Sequence, residues 1–125
     1  MEPRKILAVD DSRLMLKMYE VMLRRFSLVF ASDGREALQR LEEHDDVDLV
    51  LLDVNMPNMN GIELLGALRA NGRLKGLTVI IVSTDGKQAD TARGLEAGAT
   101  AYITKPFGTE QVLSLIAGIE KGASA

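Results

Sequence analysis

The chain of 125 residues contains no cysteine. A disulfide, a thiolate nucleophile and a zinc site built on cysteine are therefore excluded. The sequence also has no run of basic residues and carries a net charge of −3, which argues against a general surface for nucleic acid or anionic membrane. No signal-peptide pattern opens the chain, and no apolar run approaches the ~18 residues of a membrane span. We therefore expect a cytoplasmic domain without direct contacts to membrane or nucleic acid.

The composition is that of an ordinary globular domain, with 46% hydrophobic and 26% charged residues. A chain of this length can bury a substantial core. We expect a single domain over residues 1–125. The last residues, 122–125, are small and polar, which indicates a frayed end or the start of a linker in a longer protein.

Short apolar runs alternate with segments of helical periodicity along the chain. The runs predict five strands, at 5–9, 27–31, 48–52, 78–82 and 101–104. The intervening segments predict five helices, at 13–25, 35–43, 62–70, 87–97 and 109–121. In the first helix the spacing predicts one apolar face made of Leu14, Met18, Val21 and Met22. Such alternation, with right-handed crossovers, predicts a parallel sheet covered by helices on both faces.

The third strand has an apolar sequence without alternation, which predicts burial on both faces of the sheet. This strand stops at Asp53, and Pro57 and Gly61 then prevent an immediate helix. Open α/β sheets hold their chemistry at the carboxyl ends of buried parallel strands. Asp53 is therefore a candidate functional residue.

Polar side chains also follow the other inner strands of the predicted sheet. Asp10 and Asp11 follow the first strand, Ser83 follows the fourth and Lys105 follows the fifth. If the second strand lies outside and the fifth lies beside the fourth, these side chains meet Asp53 at one edge.

Three carboxylates close together repel one another, and either protonation or a cation relieves the repulsion. Mg²⁺ is the best match, because it takes oxygen ligands and often a phosphate as well. A carboxylate beside such an ion can attack phosphorus and form an aspartyl phosphate. Lys105 would then neutralise charge on the phosphoryl group, and Ser83 would donate a hydrogen bond to it.

A set of short motifs runs in order along the chain: Asp10-Asp11, Asp53 with Met56-Pro57, Met59 and Gly61, Ser83, and Lys105-Pro106-Phe107. Together these motifs resemble the CheY-like receiver domain of two-component response regulators. The resemblance covers nearly the whole chain. It implies a flavodoxin-like doubly wound (βα)5 fold with strand order 2-1-3-4-5. It also implies a regulatory phosphoacceptor that catalyses its own phosphotransfer and dephosphorylation and is not an enzyme acting on a separate substrate.

The resemblance assigns roles to the residues of this edge. Asp53 would accept the phosphoryl group, Lys105 would pair with that group or with empty Asp53, and Ser83 would hydrogen-bond it. The implied Mg²⁺ ligands share an oxygen donor: Asp11, Asp53, the backbone carbonyl of Asn55, and Asp10 mainly through a water. Tyr102 would turn inward as Ser83 moves.

Further positions follow from the same resemblance. The Lys105–Pro106 peptide would be cis. Thr84 stands where the family commonly has a smaller residue and could narrow access to Asp53. Asn55 and Asp85 lie where the family tunes dephosphorylation, which predicts a short-lived phosphoryl state. The output surface would comprise the fourth helix, fifth strand and fifth helix.

The partners implied by the resemblance are a histidine kinase or phosphotransfer protein and a downstream target or an effector domain absent from this chain. The domain would be a monomer or a phosphorylation-dependent dimer. One alternative is a small Mg²⁺-dependent phosphatase with an aspartate nucleophile, although such enzymes usually carry an acid where this chain has Asn55, and a cap for which it has no room. The other is a pseudo-receiver that switches without phosphate, although this chain has the full set of acids.

Overall fold

The strands of the computed structural model form one parallel sheet in the order β2-β1-β3-β4-β5. The model describes residues 5–54, 61–72, 74, 76–84 and 94–124. Within these ranges the strands are β1 Lys5–Val9, β2 Ser27–Ala31, β3 Leu49–Asp53, β4 Thr78–Thr84 and β5 Ala101–Lys105. Every neighbouring pair is parallel. The predicted flavodoxin-like, doubly wound fold is confirmed, with β2 at one edge.

The helices lie between the strands as predicted, with some changes at their ends. They are α1 Arg13–Met22, α2 Gly34–Glu43, α3 Gly61–Ala70, α4 at residues 94–96 and α5 Thr109–Ser124. The first helix ends three residues before its predicted end, and the last continues three residues beyond its own. Residues 87–93 of the predicted fourth helix lie outside the described residues, and residue 97 follows the helix as a turn. No helix in the described ranges is long and apolar enough to cross a membrane.

Side chains from the two faces of the sheet build two core clusters. Leu7 and Val9 of β1 pack on the side of α2 and α3, whereas Ile6 and Ala8 pack on the side of α1 and α5. This division follows from the alternation of side chains along a strand. All five residues of β3 are buried, so the prediction that this strand is buried on both faces is confirmed.

The predicted buried face of α1 is wrong. Three of its four residues are exposed: Leu14 and Val21 at 70% and Met18 at 41%. Tyr19 of the helix and Leu23, the residue directly after it, are buried instead, against α5 and the sheet. Apolar residues occupy most positions between 14 and 23, so periodicity does not select one face, and tertiary packing decides it.

Arg69 joins three segments at the amino edge of the sheet. Its Nη1 donates to the carbonyl oxygen of Leu77 at 2.7 Å, just before β4. Its Nε and Nη2 donate to the carbonyl oxygen of Gly98 at 3.0 and 2.7 Å. Gly98 has a φ of +110°, a conformation that glycine adopts without the cost of a side chain. The end of α3 is thereby attached to the segments that lead into β4 and β5.

The first residue of α3 packs directly on the end of β3. The Gly61 N–H donates to the Val54 carbonyl oxygen at 3.0 Å. A Cβ on Gly61 would lie 2.8 Å from the Cα of Val54 and closer still to the Asp53 carbonyl oxygen. Only glycine therefore allows α3 to start this close to Asp53.

We expect Gly61→Ala to lower the free energy of unfolding by about 1–3 kcal/mol, because the methyl group meets backbone atoms that cannot rotate away. Chemical denaturation measures the change. Gly66→Ala is the matched control, since a Cβ there meets nothing within 4 Å. Because Gly66 is in the interior of α3, this control should gain up to about 1 kcal/mol. Equal stability of the two variants would contradict the packing argument.

Candidate functional site

Four strand ends bring their polar residues to the carboxyl edge of the sheet. Asp10 follows β1, Asp53 ends β3, Ser83 lies near the end of β4 and Lys105 ends β5. Asp53 is paired in register with Val82, and Ser83 with Thr104. Because parallel strands share their carboxyl edge, these residues line one crevice. Asp10, Ser83 and Asp53 are nearly inaccessible, with exposures of 0%, 1% and 5%.

Three carboxylates meet in this crevice. Asp10, Asp11 and Asp53 each offer one oxygen, and these oxygens lie within 4.8 Å of one another. Asp11 is exposed, whereas the other two are buried. Carboxylates this close repel one another unless a cation or a proton intervenes. Their oxygens are the donors that hard divalent cations such as Mg²⁺ prefer, so the residues present fit that ion.

Protein partners hold both oxygens of the Asp10 carboxylate. Oδ1 accepts a hydrogen bond from the Ser12 backbone N–H at 2.9 Å. Oδ2 accepts one from the Lys105 Nζ, also at 2.9 Å. The Ser12 Oγ in turn accepts from the Met15 N–H at 3.2 Å and caps α1. Asp10 thus connects the start of α1 to the lysine at the end of β5.

Lys105 lies between the two buried carboxylates. Its Nζ is 2.9 Å from the Asp10 Oδ2 and 3.8 Å from the Asp53 Oδ2. The expected ion pair with Asp53 is present, but the nearer partner of Lys105 is Asp10. The Lys105–Pro106 peptide bond is cis. Lys105 therefore offsets part of the cost of burying both carboxylates.

Tyr102 lies on β5, an edge strand of the sheet. The side chain is 48% exposed, in a groove of about 460 Å³ that β5 and α5 form. Gln111, Ser114 and Leu115 of α5 line the same groove. Tyr102 is paired in register with Ile81, two residues before Ser83 in β4. It is therefore accessible from solvent, and strands β4 and β5 connect it to the crevice.

Sequence reasoning missed one residue of the site region, Tyr19. It is 1% exposed, on the buried face of α1. Burial raises the pKa of its phenol, and the negative charges of Asp10 and Asp53 raise that pKa further. The phenol is thus within electrostatic range of both carboxylates. A polar aromatic residue among aliphatic neighbours was the only available signal.

Asn55, Asp85 and the side chain of Thr84 lie outside the described part of the chain.

Comparison with known proteins agrees with this geometry. The family model of the response regulator receiver domain matches residues 6–117. Chemotaxis protein CheY1 of Helicobacter pylori strain J99 is 38% identical over 112 residues, which cover 87% of this chain and 90% of that protein. Transcriptional regulatory protein CpxR of Escherichia coli K12 is 39% identical over 117 residues, which cover 92% of this chain and 48% of CpxR.

A solved structure leads to the same family. The chemotaxis response regulator CheY4 of Vibrio cholerae superposes with a TM-score of 0.84 and 32% identity, covering 92% of this chain and 97% of that one. The similarity extends across the strands that carry the crevice residues. The chain therefore belongs to the response regulator receiver family and is a CheY-like receiver domain.

Proposed function

We propose that this receiver is a switch in which Asp53 accepts a phosphoryl group from a histidine kinase or a phosphotransfer protein. The observation that carries the proposal is the setting of the Asp53 carboxylate. It ends the central strand, lies 3.8 Å from the Lys105 Nζ, and belongs to a cluster of three carboxylates. Phosphoryl transfer requires positioning and charge neutralisation more than covalent assistance from the protein.

In the proposed transfer an oxygen of Asp53 attacks phosphorus and forms an O–P bond. The bond between phosphorus and the donor imidazole nitrogen breaks, and that nitrogen keeps the electron pair and takes up a proton. Lys105 neutralises charge on the phosphoryl oxygens as a point charge. The Ser83 hydroxyl, at the end of β4, donates a hydrogen bond to one of them. Hydrolysis reverses the modification when water attacks phosphorus and the Asp53 carboxylate leaves.

The donor set of the crevice is suited to Mg²⁺. Asp11, Asp53 and the backbone carbonyl of Asn55 would hold the ion directly. Asp10 would act through a water, because the Ser12 N–H and Lys105 already occupy its two oxygens. When bound, Mg²⁺ neutralises negative charge on the carboxylates and on the phosphoryl oxygens.

The signal would leave the crevice along β4 and β5. Movement of Ser83 toward a phosphoryl group changes the end of β4, and half-exposed Tyr102 on β5 turns inward. The surface of α4, β5 and α5 then binds a downstream protein or an effector domain. CpxR, of which this chain covers 48%, is a relative in which the similar region is part of a longer chain. Phosphorylation-dependent dimerisation of the domain belongs to the same proposal.

We expect the wild type to gain one phosphoryl group when it is incubated with Mg²⁺ and a small phosphodonor, as intact mass will measure. Asp53→Asn should stay unmodified, because its amide is a poor nucleophile, and EDTA should abolish the wild-type reaction. Hydroxylamine should remove the group, as it does from an acyl phosphate. Asp45→Asn, which also removes one carboxylate but at an exposed loop, is the control and should react like the wild type. An unmodified wild type, with no effect of EDTA, would overturn the phosphoacceptor proposal.

Lys105→Met should change phosphorylation and metal affinity in opposite directions. Loss of the cation should slow phosphorylation by about 100-fold, the usual effect of removing one group that stabilises transition-state charge. The same loss leaves the carboxylates more negative, so the affinity for Mg²⁺ should rise. Isothermal titration calorimetry and the rate of mass gain measure the two effects. Lys17→Met, which removes a lysine at an exposed position of α1, is the control. An unchanged affinity for Mg²⁺ in Lys105→Met would contradict the charge argument.

Asn55 and Asp85 should set the lifetime of the phosphoryl group. An amide and a carboxylate at these positions can orient the attacking water, a contribution worth roughly 10²-fold when complete. Asn55→Ala and Asp85→Ala should each release phosphate several-fold more slowly than the wild type. Release of inorganic phosphate after removal of the donor gives the rates, and a time course insensitive to both substitutions would refute the assignment.

A further inference from the structure

The hydroxyl group of Tyr19 is buried without a hydrogen bond in the part of the chain that the structure describes. The residue is 1% exposed, and its recorded contacts within that part are those of its ring and its charge environment. Buried tyrosine hydroxyls usually have a partner. An unsatisfied one is therefore a feature that requires an explanation.

The position of Tyr19 on α1 favours a phenol that points toward the crevice. Long side chains on a helix point toward its amino end, and α1 begins at Arg13, directly after the carboxylates of β1. The Tyr19 ring contacts the ring of Phe107, with centroids 6.1 Å apart. Phe107 follows Lys105 by two residues. Tyr19 thus lies between the start of α1 and the segment that follows Lys105 at the end of β5.

The protonation state of the Tyr19 phenol decides which hydrogen bonds it can form. Its pKa is raised by burial first, and then by Asp10 and Asp53, so the phenol is protonated at neutral pH. A protonated phenol can donate one hydrogen bond. Neighbouring carboxylates are acceptors. At neutral pH the hydroxyl is therefore a donor and not a base.

Asp10 needs such a donor if Lys105 moves. Its Oδ2 accepts from the Lys105 Nζ at 2.9 Å, and the residue is 0% exposed. Lys105 is 3.8 Å from Asp53 and is drawn toward that residue when negative phosphoryl oxygens are added there. The bond to Asp10 is then weakened. A buried carboxylate that loses its partner is strongly destabilised.

We propose that Tyr19 is a positioning residue for phosphorylation, which donates its hydroxyl hydrogen bond to Asp10 as Lys105 shifts to the phosphoryl group on Asp53. The proposal rests on the proposed function, because it requires a phosphoryl group to attract the lysine. In the unmodified protein Lys105 pairs with Asp10, and the Tyr19 hydroxyl has no partner among the residues that the structure describes. In the modified protein both the lysine and the hydroxyl have partners.

Tyr19→Phe tests this inference, because it removes the hydroxyl and retains the ring that contacts Phe107. The unmodified variant should be at least as stable as the wild type, since loss of an unpaired buried hydroxyl breaks no hydrogen bond. Phosphorylation at saturating small phosphodonor should be about 3- to 10-fold slower, the range expected for one hydrogen bond. The phosphodonor concentration at half-maximal rate should not change.

Thermal unfolding with and without Mg²⁺ and beryllofluoride, a mimic of the phosphoryl group, provides a second readout. Tyr19→Phe should show a smaller rise in Tm on beryllofluoride binding than the wild type. Leu23→Ala, one turn further along the buried face of α1, is the control. It should lower the Tm of both forms alike and keep the full rise.

The outcomes separate the two proposals. A wild type that takes up neither the phosphoryl group nor beryllofluoride overturns the proposed function, and with it the role of Tyr19. A modified wild type with a Tyr19→Phe variant of equal rate and equal rise in Tm overturns the role of Tyr19 alone. A variant that loses as much stability without beryllofluoride as with it shows a merely structural hydroxyl, which also overturns the inference.

Discussion

The ammonium group of Lys105 between the buried carboxylates of Asp10 and Asp53 is the interaction on which the rest of the crevice depends. Each carboxylate alone would be costly to bury, and the two together also repel each other. Lys105, 2.9 Å from the first and 3.8 Å from the second, offsets part of both costs. Under the proposed function, this charge balance would allow a further cation to bind and the lysine to shift when an anionic group is added.

The fold maintains this unfavourable cluster through backbone constraints rather than through side-chain packing alone. Asp10 is held by the Ser12 N–H at 2.9 Å and by its own N–H to the Ala31 carbonyl oxygen at 3.0 Å. Asp53 is held by the close approach of Gly61, whose N–H bonds to Val54. Because β1 and β3 are neighbours in the sheet order, the two carboxylates cannot separate without breaking strand pairing. Their repulsion is therefore retained as a property of the crevice, and only a cation or a change of partner can relieve it.

Sequence reasoning predicted the elements and the crevice because both depend on local patterns. The run from Leu49 to Leu52 is apolar throughout, which is a sufficient signal for a strand buried on both faces, and a polar residue at each strand end is sufficient to locate the shared edge. The orientation of α1 was not predictable in the same way. Its apolar residues surround most of the helix, so only the shape of the sheet and α5 selects Tyr19 and Leu23 over Leu14 and Val21. The same limit applies to Lys105. Its Nζ lies 2.9 Å from Asp10 and 3.8 Å from Asp53, and a sequence cannot show a difference of about one ångström.

The two tyrosines of the chain have the same phenol group but lie in different environments, one exposed and one buried. Tyr102 is 48% exposed in a groove beside α5, so its ring can change position without disturbing the core. Tyr19 is enclosed by the α1–α5 core, so only small shifts of its ring are open to it, enough to change the hydrogen bond of its hydroxyl. Under the proposed function both respond to the same event, since Lys105 and Ser83 lie at the ends of adjacent strands. The buried tyrosine would then stabilise the carboxylate that the lysine leaves, while the exposed one would change the surface offered to a partner. Removing the first hydroxyl should therefore affect the rate and stability of modification, whereas altering the second residue should affect recognition of the modified domain.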